Sequence, residues 1–584
     1  MIPLDRELST SMTFLAERSL PSVNEVADEL LLHFAKKCLF NLFNLTIEAP
    51  LFDFDAIENS PPLLRVNVTL RRGGRLLGSM SGGGETLADQ IRIAVSNASL
   101  DKRFRARITA AEIGMIDIEL WLQVGYTTVT PEDLGDGRLL RWGIDGIEVS
   151  ADGKSAYYKP SVPLTSGKHS NSALLTAICR KAGLDKSRWR AEGLEVKRTH
   201  WRLVTENLAI KEGWRGSGTN RLSGRHLIEA LQASASYLIN GRQASGEFTY
   251  LYDPLAGNEI LEPHNRVRSE GCFYALSKYQ SSVYYTPTIA FQVGFEHIAA
   301  SHVQRLQKLD DGTLVVPDQD SKSMPKLGAT ALLALALGRR PLISHYEAPY
   351  HALLASIKNA QGQDGRFLTH FGSDTENVRS SEFFAGQALL CLVEKAEAGD
   401  LDAIERCGRA FATYRNQFLA APSSAFAGWQ VEVWARLAKL TCRNDFADFV
   451  FEQCDWLLNL QILESWQPTW VGGFSSSGVN PKFSSIVFTE ALVHGYVLAK
   501  RIGDLKREEL YRNRLFLAVS FCWRLRLEDH PSSWYLDPER SAGAVGLSPL
   551  DLRVRSDVPQ HFITMCLAFL GSGLADDSTP FRRE

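Results

Sequence analysis

The sequence predicts a multidomain protein: a mixed α+β N-terminal domain followed by an all-α ring of six helical hairpins, an (α/α)6 toroid. Three observations carry this. A chain of 584 residues is too long for one hydrophobic core. Its first two hundred residues mix alternating apolar stretches with short helical ones. Beyond residue 225 the pattern is helical to the end and resembles itself at intervals of roughly fifty to sixty-five residues.

The expected organisation is a helical extension over 1–45, an α+β domain over 46–206, a linker over 207–224 and the toroid over 225–584. The linker is polar and carries Gly213, Gly216 and Gly218. Hydrophobic residues make up 45% of the chain and charged ones 22%, ordinary for a globular protein. A net charge of -3 gives no reason to expect nucleic acid or an anionic membrane as partner. No run approaches 18 apolar residues, and Met1–Leu20 lacks the basic start and apolar run of a secretory signal, so a cytoplasmic location is expected. Nine cysteines with no CxxC spacing read as buried reduced thiols rather than a zinc site. No metal and no cofactor are expected.

Within the first domain, Ser22–Phe40 has helical apolar spacing, with Ser22 and Glu25 as a capping-box pair. Leu64–Leu70 and Met115–Gln123 alternate as half-buried strands. Gly143–Ser150 and Ser155–Lys159 read as short strands around an Asp152-Gly153 turn. Glu85–Asn97 and Asn171–Ala182 read as helices, the second closed by Gly183. The cluster Gly82-Gly83-Gly84 precedes a helix but lacks the Gly-Lys-Ser/Thr ending of a phosphate loop, so a flexible loop is the default.

The pieces Leu77–Met80, Leu100–Phe104, Ile116–Leu120, Gly143–Ile147, Leu175–Leu184 and Trp189 follow one another in an order and spacing that resemble the AMMECR-type domain. The resemblance covers about 64–205 and implies a fold more than a function. The segment usually read Leu-Arg-Gly-Cys-Ile-Gly in that family stands here as Leu76-Leu77-Gly78-Ser79-Met80-Ser81, without the arginine and the cysteine. Ser79 needs an adjacent base to act as a nucleophile, and a turn of small residues is the plainer reading.

In the helical part, twelve segments alternate. The first of each pair starts near 225, 288, 344, 401, 444 and 505, and the second near 269, 326, 381, 427, 485 and 556. The second set shares a motif: Val267-Arg268-Ser269-Glu270, Val378-Arg379-Ser380-Ser381-Glu382 and Val554-Arg555-Ser556-Asp557, with a looser copy around Glu490. These helices are rich in small apolar residues, as in Ala329–Leu337, which suits an inner layer. The pattern resembles the toroid of six-hairpin glycosidases and glucuronyl-type epimerases, an architectural likeness that implies little about chemistry.

In such a ring the inner helices start at one rim, so the motif converges on one mouth. Glu382, Glu270, Glu490 and Asp557 are the candidate acid or base groups, Glu382 first. Arg268, Arg379 and Arg555 are candidate clamps for a carboxylate or phosphate. Tyr252, Asp253, Asn265, His370, Trp429 and Trp470 complete the candidate substrate-binding set. Each acid also sits where a helix start favours one, a structural role that competes with chemistry. Glu490/His494 and Asp557/His561 are each spaced i, i+4 on one helix face.

The expected function is an enzyme acting at the mouth on a carbohydrate or related polar, anionic substrate, as hydrolase, lyase or epimerase. Two alternatives stand beside it: a non-catalytic scaffold that binds a peptide or partner, and a biosynthetic enzyme with its site at the domain junction. The expected partners are a small-molecule or oligosaccharide-like substrate and, through the N-terminal domain, a protein.

Overall fold

The computed structural model describes residues 26–46, 53–104, 108–167, 170–205, 222–261, 265–320, 323–372, 378–475, 479–529 and 534–576. The chain divides into two compact units, Met1–Leu208 and Ala209–Glu584. The expected Ser22–Glu25 capping pair and most of the expected linker lie outside the described residues.

The first unit is α+β. Its elements are α1 (Asp28–Asn41), β1 (Arg65–Arg72), β2 (Arg75–Gly82), α2 (Leu87–Ser99), β3 (Asp117–Thr128), β4 (Asp145–Ala151), β5 (Lys154–Tyr158), α3 (Asn171–Lys181) and β6 (Glu195–Val204). The six strands form one antiparallel sheet in the order β2-β1-β3-β6-β4-β5. Thr86 caps α2 by accepting from the Asp89 N–H, and Asp152 and Gly153, both at positive φ, make the tight β4–β5 turn. Apolar faces of α1, α2, β1 and β3 close over one core that holds Leu31, Phe34, Val68, Ile91, Val95 and Leu120.

Two strands escape the sequence reading. The Ser79 segment is strand β2, not a turn, with Ser79 paired to Thr69. Its small residues serve the packing of α2. A Cβ on Gly78 would lie 1.8 Å from the Ala98 carbonyl oxygen, and one on Gly82 would lie 1.9 Å from that of Gln90. β6 shows no clean apolar alternation, because Glu195–Val204 carries Lys197, Arg198, His200 and Arg202 among its apolar positions.

The second unit is the expected ring. Its outer helices are α4 (Gly224–Asn240), α6 (Ile289–Gln304), α8 (Glu347–Asn359), α10 (Leu401–Ala420), α12 (Asn444–Leu458) and α14 (Leu505–Trp523). They alternate with the inner helices α5 (Arg266–Gln280), α7 (Leu327–Leu337), α9 (Val378–Glu397), α11 (Ser424–Thr441), α13 (Ser484–Ile502) and α15 (Asp557–Gly571). Each inner helix packs on the next, α5 on α7, α7 on α9 and so on to α15, which packs back on α5. All eleven residues of α7 are buried, which is why it reads Leu-Gly-Ala-Thr-Ala-Leu-Leu-Ala-Leu-Ala-Leu with no polar face. The small strands β7 (Leu251–Asp253), β8 (Asn258–Ile260) and β9 (Val554–Arg555) add a second closure: β9, just before the last helix, pairs with β7 in the first hairpin.

No helix among the described residues is long and apolar enough to cross a membrane. All nine cysteines are free; Cys442 is exposed, Cys38 is partly buried and the other seven are buried.

Candidate functional site at the mouth of the ring

The N-terminal halves of the inner helices, with the loops that precede them, surround a cavity of about 690 Å³. Arg268 comes from α5, Leu332 from α7, Phe383, Phe384 and Gln387 from α9, Trp429 from α11, Val487 from α13, and Asp557, Gln560 and His561 from α15. Lys326, Asn480, Lys482, Phe483 and Arg555 enter from loops and from β9. Convergence follows from topology: in a closed ring of antiparallel hairpins all inner helices start at the same rim.

The polar centre of this cavity is an arginine–aspartate–arginine trio. Arg555 donates from Nε and Nη2 to the two oxygens of Asp557, at 2.7 and 2.8 Å. Arg268, across the ring closure, donates from Nε to Asp557 Oδ2 at 3.0 Å and from Nη1 to the Tyr250 hydroxyl at 3.1 Å. Burial opposes the charge on Asp557, yet the two guanidinium groups hold its carboxyl below the usual carboxylate range. An ionised Asp557 therefore orients the arginines and does not donate a proton at neutral pH. Two cations facing one carboxylate leave a net positive charge. The arginine side chains keep 26% and 21% of their surface exposed, enough to meet a ligand.

His561 lies one turn along α15 from Asp557 and also lines the cavity. Burial, reinforced by Arg555 and Arg268, pushes its pKa down to about 4, so the imidazole is neutral at pH 7. The Trp429 ring meets it edge to face at 5.8 Å. Among the described residues Asp557 is the one carboxylate that lines the cavity, against Arg268, Arg555, Lys326 and Lys482.

One helical turn below the lining residues Val487 and Trp429 lies a second charged group. Glu490 and Glu432 approach Lys278 Nζ at 3.6 and 3.9 Å, and His494 Nε2 is 3.6 Å from Glu432. The Thr564 hydroxyl donates to Glu490 Oε2 at 2.6 Å. Burial and the charge of Glu432 push the Glu490 pKa up to about 7, and burial pushes that of His494 down to about 4. Ligand atoms of Glu432, Glu490 and His494 lie within 4.8 Å of one another, close enough to share a metal ion. Lys278 already supplies a positive charge between the two carboxylates.

The other sequence candidates are dispersed. Glu270 faces outward, with the His302 Nδ1 of α6 at 2.6 Å from its Oε2. Glu382 is half-buried in α9 and does not line the cavity, although its neighbours Phe383 and Phe384 do. The Arg379 side chain lies outside the described residues. Tyr252 is buried in β7 beneath the Arg540 guanidinium, 4.9 Å from its ring. Asp253 accepts the N–H groups of Leu255 and Ala256 in the following turn. Asn265 caps α5 by accepting the Arg268 N–H, and it lines the cavity. His370 sits edge-on to Phe384, 3.0 Å from the Thr369 hydroxyl. Trp470 is half-buried in a short turn, Pro468–Trp470, outside the cavity lining. Glu432, Lys278 and Gln560 went unsuspected as site residues; the i, i+4 spacing of Asp557 and His561 was the one signal available for the histidine.

The AMMECR1 family model matches residues 65–202. No curated protein matches. Among solved structures, an uncharacterised protein from Pyrococcus horikoshii is 21% identical over 30% of this chain and 92% of that one, with a TM-score of 0.26. A D-mannose isomerase is 13% identical over 60% of this chain and 97% of its own, with a TM-score of 0.43. The α-1,6-mannanase of Salegentibacter sp. is 11% identical over 59% and 98%, with a TM-score of 0.43.

Proposed function

We propose that the mouth of the ring is the active site of an enzyme that takes a proton from carbon in a carbohydrate or related polar, anionic substrate, as an epimerase, isomerase or lyase does. The observation that carries this reading is a neutral His561 in the same cavity as the Arg268–Asp557–Arg555 trio. A base must be unprotonated to act; burial keeps this imidazole so and weakens its basicity, which the facing arginines offset by stabilising the developing anion. The arginines pair with a substrate carboxylate, phosphate or carbonyl oxygen and stabilise the negative charge that gathers there as the proton leaves. Asp557 keeps both guanidinium groups aimed at that point. Trp429, Phe383 and Phe483 provide flat apolar faces for the rest of the substrate.

Hydrolysis of a glycosidic bond by two carboxylates has less support. It needs a protonated acid and an ionised base or nucleophile on either side of the bond. Among the described residues the single carboxylate lining the cavity is Asp557, and two arginines hold it ionised.

The test is solvent exchange. A panel of aldoses, ketoses and uronic acids is incubated with the full chain in deuterated water and followed by proton NMR. The reading expects deuterium at one carbon of a turned-over substrate, and no incorporation with His561→Gln. Turnover by bond hydrolysis with no exchange would sink it.

A further inference from the structure

The first unit holds a cavity of its own, about 590 Å³, between the β1–β2 edge of the sheet and the segment that follows β5. Four cations line it, Arg71, Arg103, Lys159 and Lys181, and none of its lining residues is an Asp or a Glu. Two carboxylates stand behind these cations. Glu119 takes the Arg71 Nε at 2.9 Å and lies 3.8 Å from Lys159, and Asp101 takes Arg103 at 2.6 Å. With all four basic groups protonated the excess is two positive charges, and it falls to one when Lys159 is neutral.

Lys159 is the most telling of the four. It is 6% exposed. Its Nζ reaches Asn67 Oδ1 at 3.2 Å and the Thr69 hydroxyl, and Thr69 in turn is 2.9 Å from the Ser79 hydroxyl. Burial together with the nearby Arg71, Lys181 and Arg103 brings the Lys159 pKa down to about 7. Lys181, set over the Tyr157 and Tyr158 rings, comes down to about 8 through burial, Arg103 and Arg65. Burial is the larger cause for both lysines, and the neighbouring cations add to it. Glu119, shared with Arg71, offsets only part of the cost of burying Lys159, and an anion in the cavity would offset more of it.

We propose that this cavity is a ligand site, separate from the mouth of the ring, for a small molecule carrying a phosphate or carboxylate group. The anionic group sits between Lys159, Lys181 and Arg103, with the Ser79 and Ser81 hydroxyls as further donors. The apolar sides formed by Leu76, Phe104 and Val162 take the remainder of the molecule, since the volume exceeds that of a bare anion. Serine in place of the cysteine usual at this strand position in the AMMECR-type family leaves a hydrogen-bond donor there rather than a strong thiolate nucleophile.

Calorimetric titration of the full chain at pH 7.5 tests the proposal, with inorganic phosphate as one probe and succinate as the other. Comparing the two shows which oxyanion is preferred. Saturable binding by at least one is expected, with proton uptake measured across two buffers of different ionisation enthalpy, because a bound anion raises the pKa of the neighbouring lysines. Lys159→Met and the more exposed Lys181→Gln should each weaken binding about tenfold or more, while Arg555→Met, which removes any oxyanion held at the ring, leaves this class of site in place. Lys181→Gln keeps the test valid if Lys159→Met fails to fold. Absence of saturable binding, or binding lost with Arg555→Met and kept with Lys181→Gln, overturns the proposal. Either result leaves the solvent-exchange test of the ring untouched.

Discussion

His561 and Asp557 stand one turn apart on the same helix and receive opposite treatment from the same two arginines. The guanidinium groups stabilise the carboxylate; burial, with the same arginines adding to it against the pull of Asp557, disfavours the imidazolium, so the acid stays ionised and the base stays neutral. The pH profile should show it. A free histidine loses its basic form below about pH 6.5; here the acid limb of turnover should fall near pH 4, where His561 takes up its proton. His561→Gln should lower turnover at least about 100-fold with an unchanged melting temperature. Asp557→Asn leaves Arg268 and Arg555 facing each other with no counter-ion. It should cost about 3 kcal/mol of stability, read as a lower midpoint in denaturant. Glu382→Gln, at a carboxylate that does not line the cavity, should keep turnover within about threefold of wild type.

Elements make their own predictions. Strand β2 accepts α2 at a distance that only glycine allows, and at Gly78 the obstruction is backbone rather than a movable side chain. Gly78→Ala should therefore separate helix from strand and cost about 3 kcal/mol or more, visible as a lowered thermal transition of the N-terminal unit. In the ring, Glu490 is held with its pKa near 7 while an unfolded glutamate titrates near about 4.5. Between these values the folded state keeps a proton that the unfolded state has released. Stability must then fall as pH rises from about 4.5 to 7. The melting temperature of Glu490→Gln should vary less over that interval than that of the wild type, and equal slopes would show that Glu490 does not hold the proton.

At the scale of the molecule, the ring is closed twice near the last helix. α15 packs on both α13 and α5, and β9 pairs with β7. Arg268 and Asp557 span the same seam, so the candidate site is completed only when the chain's last hairpin meets its first. An open solenoid tolerates loss of a terminal repeat, because each repeat leans only on its neighbours. A closed ring does not. Removing residues 554–584 should abolish cooperative unfolding of the second unit in a circular-dichroism melt and expose the apolar flanks of α5 and α13. Retention of a sharp transition at the wild-type temperature would argue that closure contributes little.

Much of the architecture is local, and local features were legible in the sequence. The twelve helix starts, the strands β1 and β3 to β5 and the Asp152-Gly153 turn follow from apolar periodicity, caps and glycine, which act over a few residues. Strand β2 escaped because its glycines answer to α2, and β6 because charged residues interrupt its apolar face; both depend on partners distant in sequence. The same limit governs the sites. Three copies of a Val-Arg-Ser motif pointed to the rim, but they do not occupy equivalent places: Glu270 lies inside α5 and turns outward to His302, while Asp557 opens α15 and faces the cavity. In the N-terminal unit Arg71, Arg103, Lys159 and Lys181 come from four separate segments with no common spacing. Sequence by itself determined the repeat and the fold class, because periodicity and burial are properties of neighbouring residues. Tertiary structure decided which charges face a cavity and which are neutralised, because a charge is set by what surrounds it in space.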